Sequence, residues 1–187
     1  MIKVMPTPLN GVLIIEPDIF KDSRGAFMET YQKKKYTLAG IDSVFVQDNF
    51  SISHKGTLRG LHYQISHPQA KLVQVIKGAV FDVAVDLRSG SPTFGKWTGV
   101  KLSDTNNRQM FIPEGFAHGF QALTETACFL YKCSDYYLKE DEGGIIWSDP
   151  EINIKWPDIQ PFFSDKDASY PCLKDIPKDL FPKISCI

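Results

Sequence analysis

Hydrophobic and polar residues alternate in short runs along most of the chain, and glycine or proline breaks each run. Val80 to Leu87 is the clearest run. Phe81, Val83, Val85 and Leu87 fall on one face of an extended segment, and Asp82 and Asp86 fall on the other. The same pattern predicts strands at Val12 to Glu16, Ala26 to Tyr31, Val44 to Ser51, Thr57 to Gln64 and Lys71 to Ile76. It predicts further strands at Trp97 to Leu102, Gln109 to Ile112, Phe116 to Leu123 and Ala127 to Cys133. Turn signals such as Lys55-Gly56, Lys77-Gly78, Ser89-Gly90 and Pro113-Glu114-Gly115 separate them. The longest helical candidate, Tyr31 to Ala39, is short, rich in lysine and ended by Gly40. From Trp147 onward the alternation fades, and half of the chain's 12 prolines lie between Pro150 and Pro182. That segment reads as an irregular tail packed around the strands rather than a second domain. The expectation is one all-β sandwich or barrel spanning residues 1–187, with short helices.

Composition narrows the classes of function. A chain of 187 residues is long enough to bury roughly 70% of its unfolded surface. The 43% of apolar and 23% of charged residues are ordinary for a globular protein. A net charge of -1 supplies no basic field for nucleic acid or an anionic membrane. No apolar run approaches the ~20 residues of a membrane span, and Met1 to Asn10 has no apolar core of a signal peptide. Cys128, Cys133, Cys172 and Cys186 form no CxxC pair. They read as reduced thiols of a cytoplasmic protein, neither a disulfide framework nor a zinc site.

The histidines bear on chemistry next. His54, His62, His67 and His118 contain no HxH pair, and their spacing supplies no convergent ligand set, so no metal is expected. His62, in Leu58-Arg59-Gly60-Leu61-His62-Tyr63-Gln64, is either a satisfied core histidine or a base. Lys71 shares the face of Val73 and Val75; it either meets a charge inside the barrel or snorkels to solvent. Tyr131 shares its face with Ala127, Phe129 and Cys133, as a core tyrosine or a proton donor in a cavity. Tyr137 is a stacking platform or plain surface packing. Arg59 and His62 are three positions apart, so a regular strand points them to opposite faces. If both serve one site, Gly60 must mark a bulge or a twist. His118 stands close to glycines in Pro113-Glu114-Gly115-Phe116-Ala117-His118-Gly119-Phe120, at a barrel corner or a place of close backbone approach. By composition alone, Ser164-Asp165-Lys166-Asp167 is a solvated turn.

Taken in order, these stretches resemble the dTDP-4-dehydrorhamnose 3,5-epimerase family. The resemblance rests on Arg59-Gly60-Leu61-His62-Tyr63-Gln64, the lysine nine residues later, Phe81-Asp82-Val83-Ala84-Val85-Asp86, and the Pro113 to Phe120 stretch. It also includes Ser91-Pro92-Thr93-Phe94-Gly95, Gly144-Ile145-Ile146-Trp147-Ser148-Asp149-Pro150 and Ser164 to Asp167, and runs from about Gly11 to Asp167. It implies a cupin-type jelly-roll, a homodimer that exchanges N-terminal strands, and no metal or organic cofactor. It implies a dTDP-4-keto-6-deoxy-sugar as substrate, with protons removed and returned beside the C4 ketone. By motif match His62 is the base, Asp167 its carboxylate partner, Lys71 the charge facing the enolate oxygen, and Tyr131 the acid on the opposite ring face. Arg24 and Arg59 are matched to the diphosphate, and Glu29, Gln47 and Asn49 to the nucleotide. Tyr137 is matched to the thymine, and His118, Glu142 and Lys166 to the sugar and phosphate ends. Arg24 and Glu29 lie in the N-terminal region and are expected to serve the partner's site in a dimer. Three alternatives stand beside this expectation: a relative that inverts only C3 or only C5, a metal-dependent cupin, and a non-catalytic nucleotide-sugar binder.

Overall fold

The computed structural model describes residues 2–182. In chain order its strands are β1 (Lys3–Pro6), β2 (Leu13–Glu16), β3 (Ile19–Asp22), β4 (Gly25–Met28), β5 (Gln47–His54) and β6 (Leu58–Gln64). They continue as β7 (Lys71–Lys77), β8 (Ala79–Asp86), β9 (Trp97–Ser103), β10 (Gln109–Ile112), β11 (Phe116–Ala122), β12 (Thr126–Cys133) and β13 (Glu142–Gly144). Two short helices, α1 (Lys33–Leu38) and α2 (Asp165–Ser169), accompany them. One sheet runs β1-β2-β10-β7-β12-β5 and the other β13-β6-β11-β8-β9, while β3 and β4 form a separate hairpin. The pairing between these strands is antiparallel.

The two sheets close on a common core, the arrangement expected of a cupin-type jelly-roll. Ile14, Val73, Val75, Met110, Ile112, Ala127 and Phe129 of the first sheet meet Val80, Ala84, Leu102, Phe116, Phe120 and Ala122 of the second. Each large apolar side chain buried there stabilises the fold by ~1.5–3 kcal/mol. The alternation in β8 divides the chain differently from a half-buried strand. Val80 and Ala84 face the core between the sheets, whereas Val83 and Val85 belong to a second cluster on the outer face. Ile152, Leu173 and Ile176 of the tail cover that outer face, with Leu61, Tyr63, Ala117 and Ile145. Asp82 and Asp86 therefore sit fully buried rather than on a polar surface.

Most predicted strands appear within a few residues of their expected ends, with instructive exceptions. β5 lies three residues beyond Val44 to Ser51. β1 was not expected from a terminus with two prolines; Pro6 is tolerated there because β1 is an edge strand. β3 has no alternation to announce it and exists as the partner of β4, in a hairpin that exposes Phe20 and Phe27. The helix is shorter than Tyr31 to Ala39. The Gln32 side chain accepts from Lys35 N to start it, and the buried Tyr36 anchors it by donating to Gln109 Oε1 at 2.6 Å. Cys128, Cys133 and Cys172 are free thiols, and Cys186 lies outside the described residues. No helix among the described residues is long and apolar enough to cross a membrane.

Candidate active site

A cavity of about 370 Å³ opens between the two sheets. β5, β7 and β12 supply one wall, β6, β11 and β13 the other, and the segment Ser164 to Asp167 of the tail reaches in from the side. How β6 meets β11 determines which side chains enter it. His62 pairs opposite His118, and Arg59 pairs opposite Phe120. Gly60 and Leu61 on β6 therefore oppose Gly119 alone, which is a bulge. Gly60 adopts φ +114°, and a Cβ there would lie 2.6 Å from both Gly119 Cα and His118 O. Only glycine permits that approach. The extra residue turns Arg59 and His62 into the same cavity, as their spacing required.

His62 Nε2 contacts Asp167 Oδ1 at 2.5 Å. This fixes Nε2 as the ring nitrogen shared with the carboxylate and leaves the other, Nδ1, with the lone pair. Asp167 stands in α2, where Ser164 is the N-cap. The Ser164 hydroxyl donates to Asp167 Oδ2 at 2.8 Å and accepts from Asp167 N at 3.2 Å. Burial pushes the Asp167 carboxyl up, but hydrogen bonds from His62 and Ser164 outweigh it and hold the group below the usual carboxylate range. Glu142, at the start of β13, is a hub. It accepts from Lys166 Nζ at 2.7 Å, Tyr137 OH at 2.6 Å and Tyr170 OH at 2.5 Å. Burial opposes its ionisation, and these donors overcome it, bringing its pKa down to about 2.

The opposite wall carries Tyr131, whose phenol burial pushes up to about 12, so it holds its proton near neutral pH. Lys71 stands on the wall of Tyr131, and His118 on the wall of His62. Burial pushes the Lys71 ammonium down, opposed by Cys133, Asp82 and Glu142. His118 Nε2 lies 3.0 Å from Asp82 Oδ2 and 3.1 Å from Oδ1. Burial pushes the Asp82 carboxyl up and the His118 imidazole down, and each partner resists the other's shift. Among the described residues, no three histidine, cysteine, aspartate or glutamate side chains cluster as a metal ion would need. The arrangement offers a histidine–carboxylate pair, a protonated phenol and a lysine amine around one volume. Such a set can take a proton from an acidified C–H bond, stabilise the resulting oxyanion and return a proton elsewhere.

A family model for dTDP-4-dehydrorhamnose 3,5-epimerase matches residues 6–175. The chain belongs to this epimerase family. A dTDP-4-dehydrorhamnose 3,5-epimerase of Shigella flexneri is 55% identical over 168 residues, 89% of this chain and 93% of that protein. The crystal structure of a dTDP-6-deoxy-D-glucose-3,5-epimerase of Legionella pneumophila, in complex with dTDP-4-keto-L-rhamnose, superposes with a TM-score of 0.95 at 51% identity, covering 100% of both chains. A 3'-monoepimerase of Streptomyces bikiniensis, in complex with dTDP-quinovose, is similar at 38% identity and a TM-score of 0.85, over 90% of this chain and 87% of that one.

Of the side chains the epimerase resemblance singles out, His62, Lys71, Tyr131, Asp167, Gln47, Asn49, Arg59, His118, Tyr137, Glu142 and Lys166 all line the cavity. Gln47 and Asn49 are tied by a 3.0 Å hydrogen bond, and Gln47 Oε1 accepts from Tyr137 N at 3.0 Å. Arg24 and Glu29 do not line it. Arg24 is 88% exposed at the turn between β3 and β4 and pairs with Asp22 at 2.6 Å, while Glu29 pairs with Lys35 at 2.7 Å. Three supporting residues escaped the sequence reading. Ser53 Oγ accepts from Arg59 Nε at 3.1 Å. Asp82 anchors His118; its place as one of two carboxylates in an otherwise apolar strand is the available signal. Tyr170 lies in the irregular tail, where no periodicity marks it.

Proposed function

We propose that this epimerase inverts C3 and C5 of dTDP-4-dehydro-6-deoxy-D-glucose, giving dTDP-4-dehydro-L-rhamnose for dTDP-L-rhamnose synthesis. The observation that carries the reading is the 2.5 Å His62–Asp167 contact, which brings a carboxylate from the tail to a histidine inside the barrel, in one cavity with Tyr131. A hydrogen on C3 or C5 is acidic because both carbons adjoin the C4 ketone. The His62 imidazole takes the proton, the C–H electron pair passes into an enolate, and Asp167 stabilises the imidazolium. Lys71 compensates the enolate oxygen. Tyr131 donates its proton to the opposite ring face and solvent restores both groups, so the carbon is inverted with no net gain or loss of atoms. The high pKa of Tyr131 suits a donor that must stay protonated until the enolate forms.

Arg59, steadied by Ser53, is assigned to the diphosphate. Gln47, Asn49 and Tyr137 are assigned to the nucleotide, and His118, Glu142 and Lys166 to the sugar and phosphate ends. The protein acts as a cytoplasmic homodimer of one domain per chain, without metal or organic cofactor. Support for the dimer comes from Phe50, Ile52 and Ile76, which are 56%, 60% and 50% exposed on the outer face of the first sheet, and from the projecting β3–β4 hairpin. In such a dimer the exchanged N-terminal region carries Arg24 and Glu29 to the partner's cavity. The test is proton exchange. Incubating dTDP-4-keto-6-deoxyglucose with the protein in D2O is expected to place deuterium at both C3 and C5, and His62→Ala is expected to abolish it with folding intact. Label at one carbon overturns the regiochemistry, and no label overturns the reaction.

A further inference from the structure

Tyr170 follows α2 directly, at the point where the tail leaves the cavity. Its ring lies against Gly144, so closely that a Cβ there would overlap Tyr170 Cε1 and Cζ. Gly144 is the residue opposite His62 in the β13–β6 pairing. The tyrosine ring is thereby fixed edge-on to the imidazole, with centroids 5.6 Å apart and planes inclined by 66°.

This placement bears on a competition within the site. Two carboxylates lie near His62 Nε2: Asp167 Oδ1 at 2.5 Å and Glu142 Oε1 at 4.0 Å. A small rotation of either side chain would let Glu142 replace Asp167 or share the nitrogen with it. Glu142 Oε1 instead accepts two other hydrogen bonds, from Tyr170 OH at 2.5 Å and Lys166 Nζ at 2.7 Å. A carboxylate oxygen has two lone pairs, so both are occupied. Lys166 sits on a half-exposed, flexible stem, whereas the Tyr170 ring is clamped against backbone. We propose that Tyr170 is a positioning residue of the proton-transfer pair, whose hydroxyl holds Glu142 away from His62 so that Asp167 alone orients the imidazole. This rests on the assignment of His62 as the base.

The charged and titratable groups around His62 are Asp167 and Lys166 from α2, Glu142 from β13, His118 from β11, Arg59 from its own strand, Lys71 and Tyr131 across the cavity, and Tyr170 itself. Removing the Tyr170 hydroxyl keeps the other members of that set and frees a Glu142 lone pair toward Nε2. A second carboxylate then favours the protonated imidazole and pulls the ring from its alignment.

Tyr170→Phe is expected to lower kcat about 3- to 10-fold, the worth of one hydrogen bond, with KM nearly unchanged. The acid limb of the kcat/KM profile moves upward by roughly half a pH unit. Tyr170→Ala loses the ring contact as well and falls further. In a Glu142→Gln background, where the competing carboxylate is gone, Tyr170→Phe leaves the acid limb in place. A Tyr170→Phe protein with wild-type kcat and pH profile overturns the inference. So does a loss of rate that follows only a fall in Tm or a rise in KM, or an equal movement of the acid limb in the Glu142→Gln background. If the wild-type protein itself exchanges no deuterium, the base assignment fails and takes this inference with it; normal wild-type exchange with an unaffected Tyr170→Phe variant sinks the inference alone.

Discussion

Replacing Gly60 by alanine adds one methyl group at the point where the second sheet bends. Two costs arise. The backbone there has φ +114°, a conformation an L-residue adopts at a cost of ~1–3 kcal/mol. The new Cβ also falls 2.6 Å from Gly119 Cα and from His118 O, against an ordinary separation of ~3.5–4.0 Å. Both obstacles are backbone atoms, so β6 and β11 must part by about 1 Å, an overpacking cost of ~1–3 kcal/mol. The sum, about 2–6 kcal/mol, is a large share of the ~5–15 kcal/mol that holds a typical domain together. Because the bulge also sets Arg59 beside His62, a displacement of about 1 Å is expected to reduce turnover by ~100-fold. Gly90→Ala is the control. Gly90 has φ +74° with nothing within 4 Å of the added atom, so it carries the conformational cost alone, ~1–2 kcal/mol, and leaves turnover near wild type. Urea unfolding followed by fluorescence gives both free energies, and deuterium exchange into the sugar gives the rate. A Gly60→Ala protein that unfolds at the same midpoint as Gly90→Ala and turns over at the wild-type rate refutes the reasoning.

Two further outcomes follow from side-chain contacts at Asp86 and Ser53. Burial alone would push the Asp86 carboxyl up, but Arg88, Thr93 and Ser91 bring it from 3.8 to about 2. A depressed folded-state pKa contributes stability above the unfolded value that is lost as pH falls through the folded one; here that is about 2 kcal/mol, lost between roughly pH 4 and pH 2. The difference in unfolding free energy between wild type and Asp86→Asn should be flat from pH 5 to 7 and shrink by about that amount toward pH 2; a constant difference contradicts it. Ser53→Ala removes the acceptor that orients Arg59 Nε and should raise KM about 3- to 10-fold with little change in kcat. An unaltered KM, or a fall in kcat instead, removes Ser53 from the binding role.

The strands that build the sandwich were readable because their environment is two-sided and repetitive. In β12, Ala127, Phe129 and Tyr131 face inward, and a period of two carries that information locally. The need for a bulge at Gly60 was also legible, since two side chains three positions apart can serve one cavity only if the strand breaks its period. Asp82 was harder to place. Alternation separates the faces of β8 but does not reveal that both are covered, because the covering residues Ile152, Leu173 and Ile176 come from far along the chain. Tyr170 and the pairing of β13 depend on one another: a glycine at 144 reads as a loop until the ring that fills its missing Cβ is known. Arg24 and Glu29 remain outside the chain's own cavity, a placement that no pattern within one chain decides.

The tail that covers the second sheet also carries Lys166 and Asp167 to the cavity and Tyr170 to Glu142, after every strand of the barrel in chain order. This order imposes a timetable on synthesis. A nascent chain that has emerged as far as β13 possesses both walls of the cavity, with the histidine, the lysine and the phenol, but no Asp167 to orient the imidazole. At ribosomal rates of ~5–20 residues per second, the stretch from Glu142 to Asp167 takes roughly one to five seconds more to appear. Leu173 and Ile176, which help cover the outer apolar face of β6, β11 and β8, emerge later still. The same tail thus brings Asp167 to His62 and, a few residues later, supplies Leu173 and Ile176 to seal that flank.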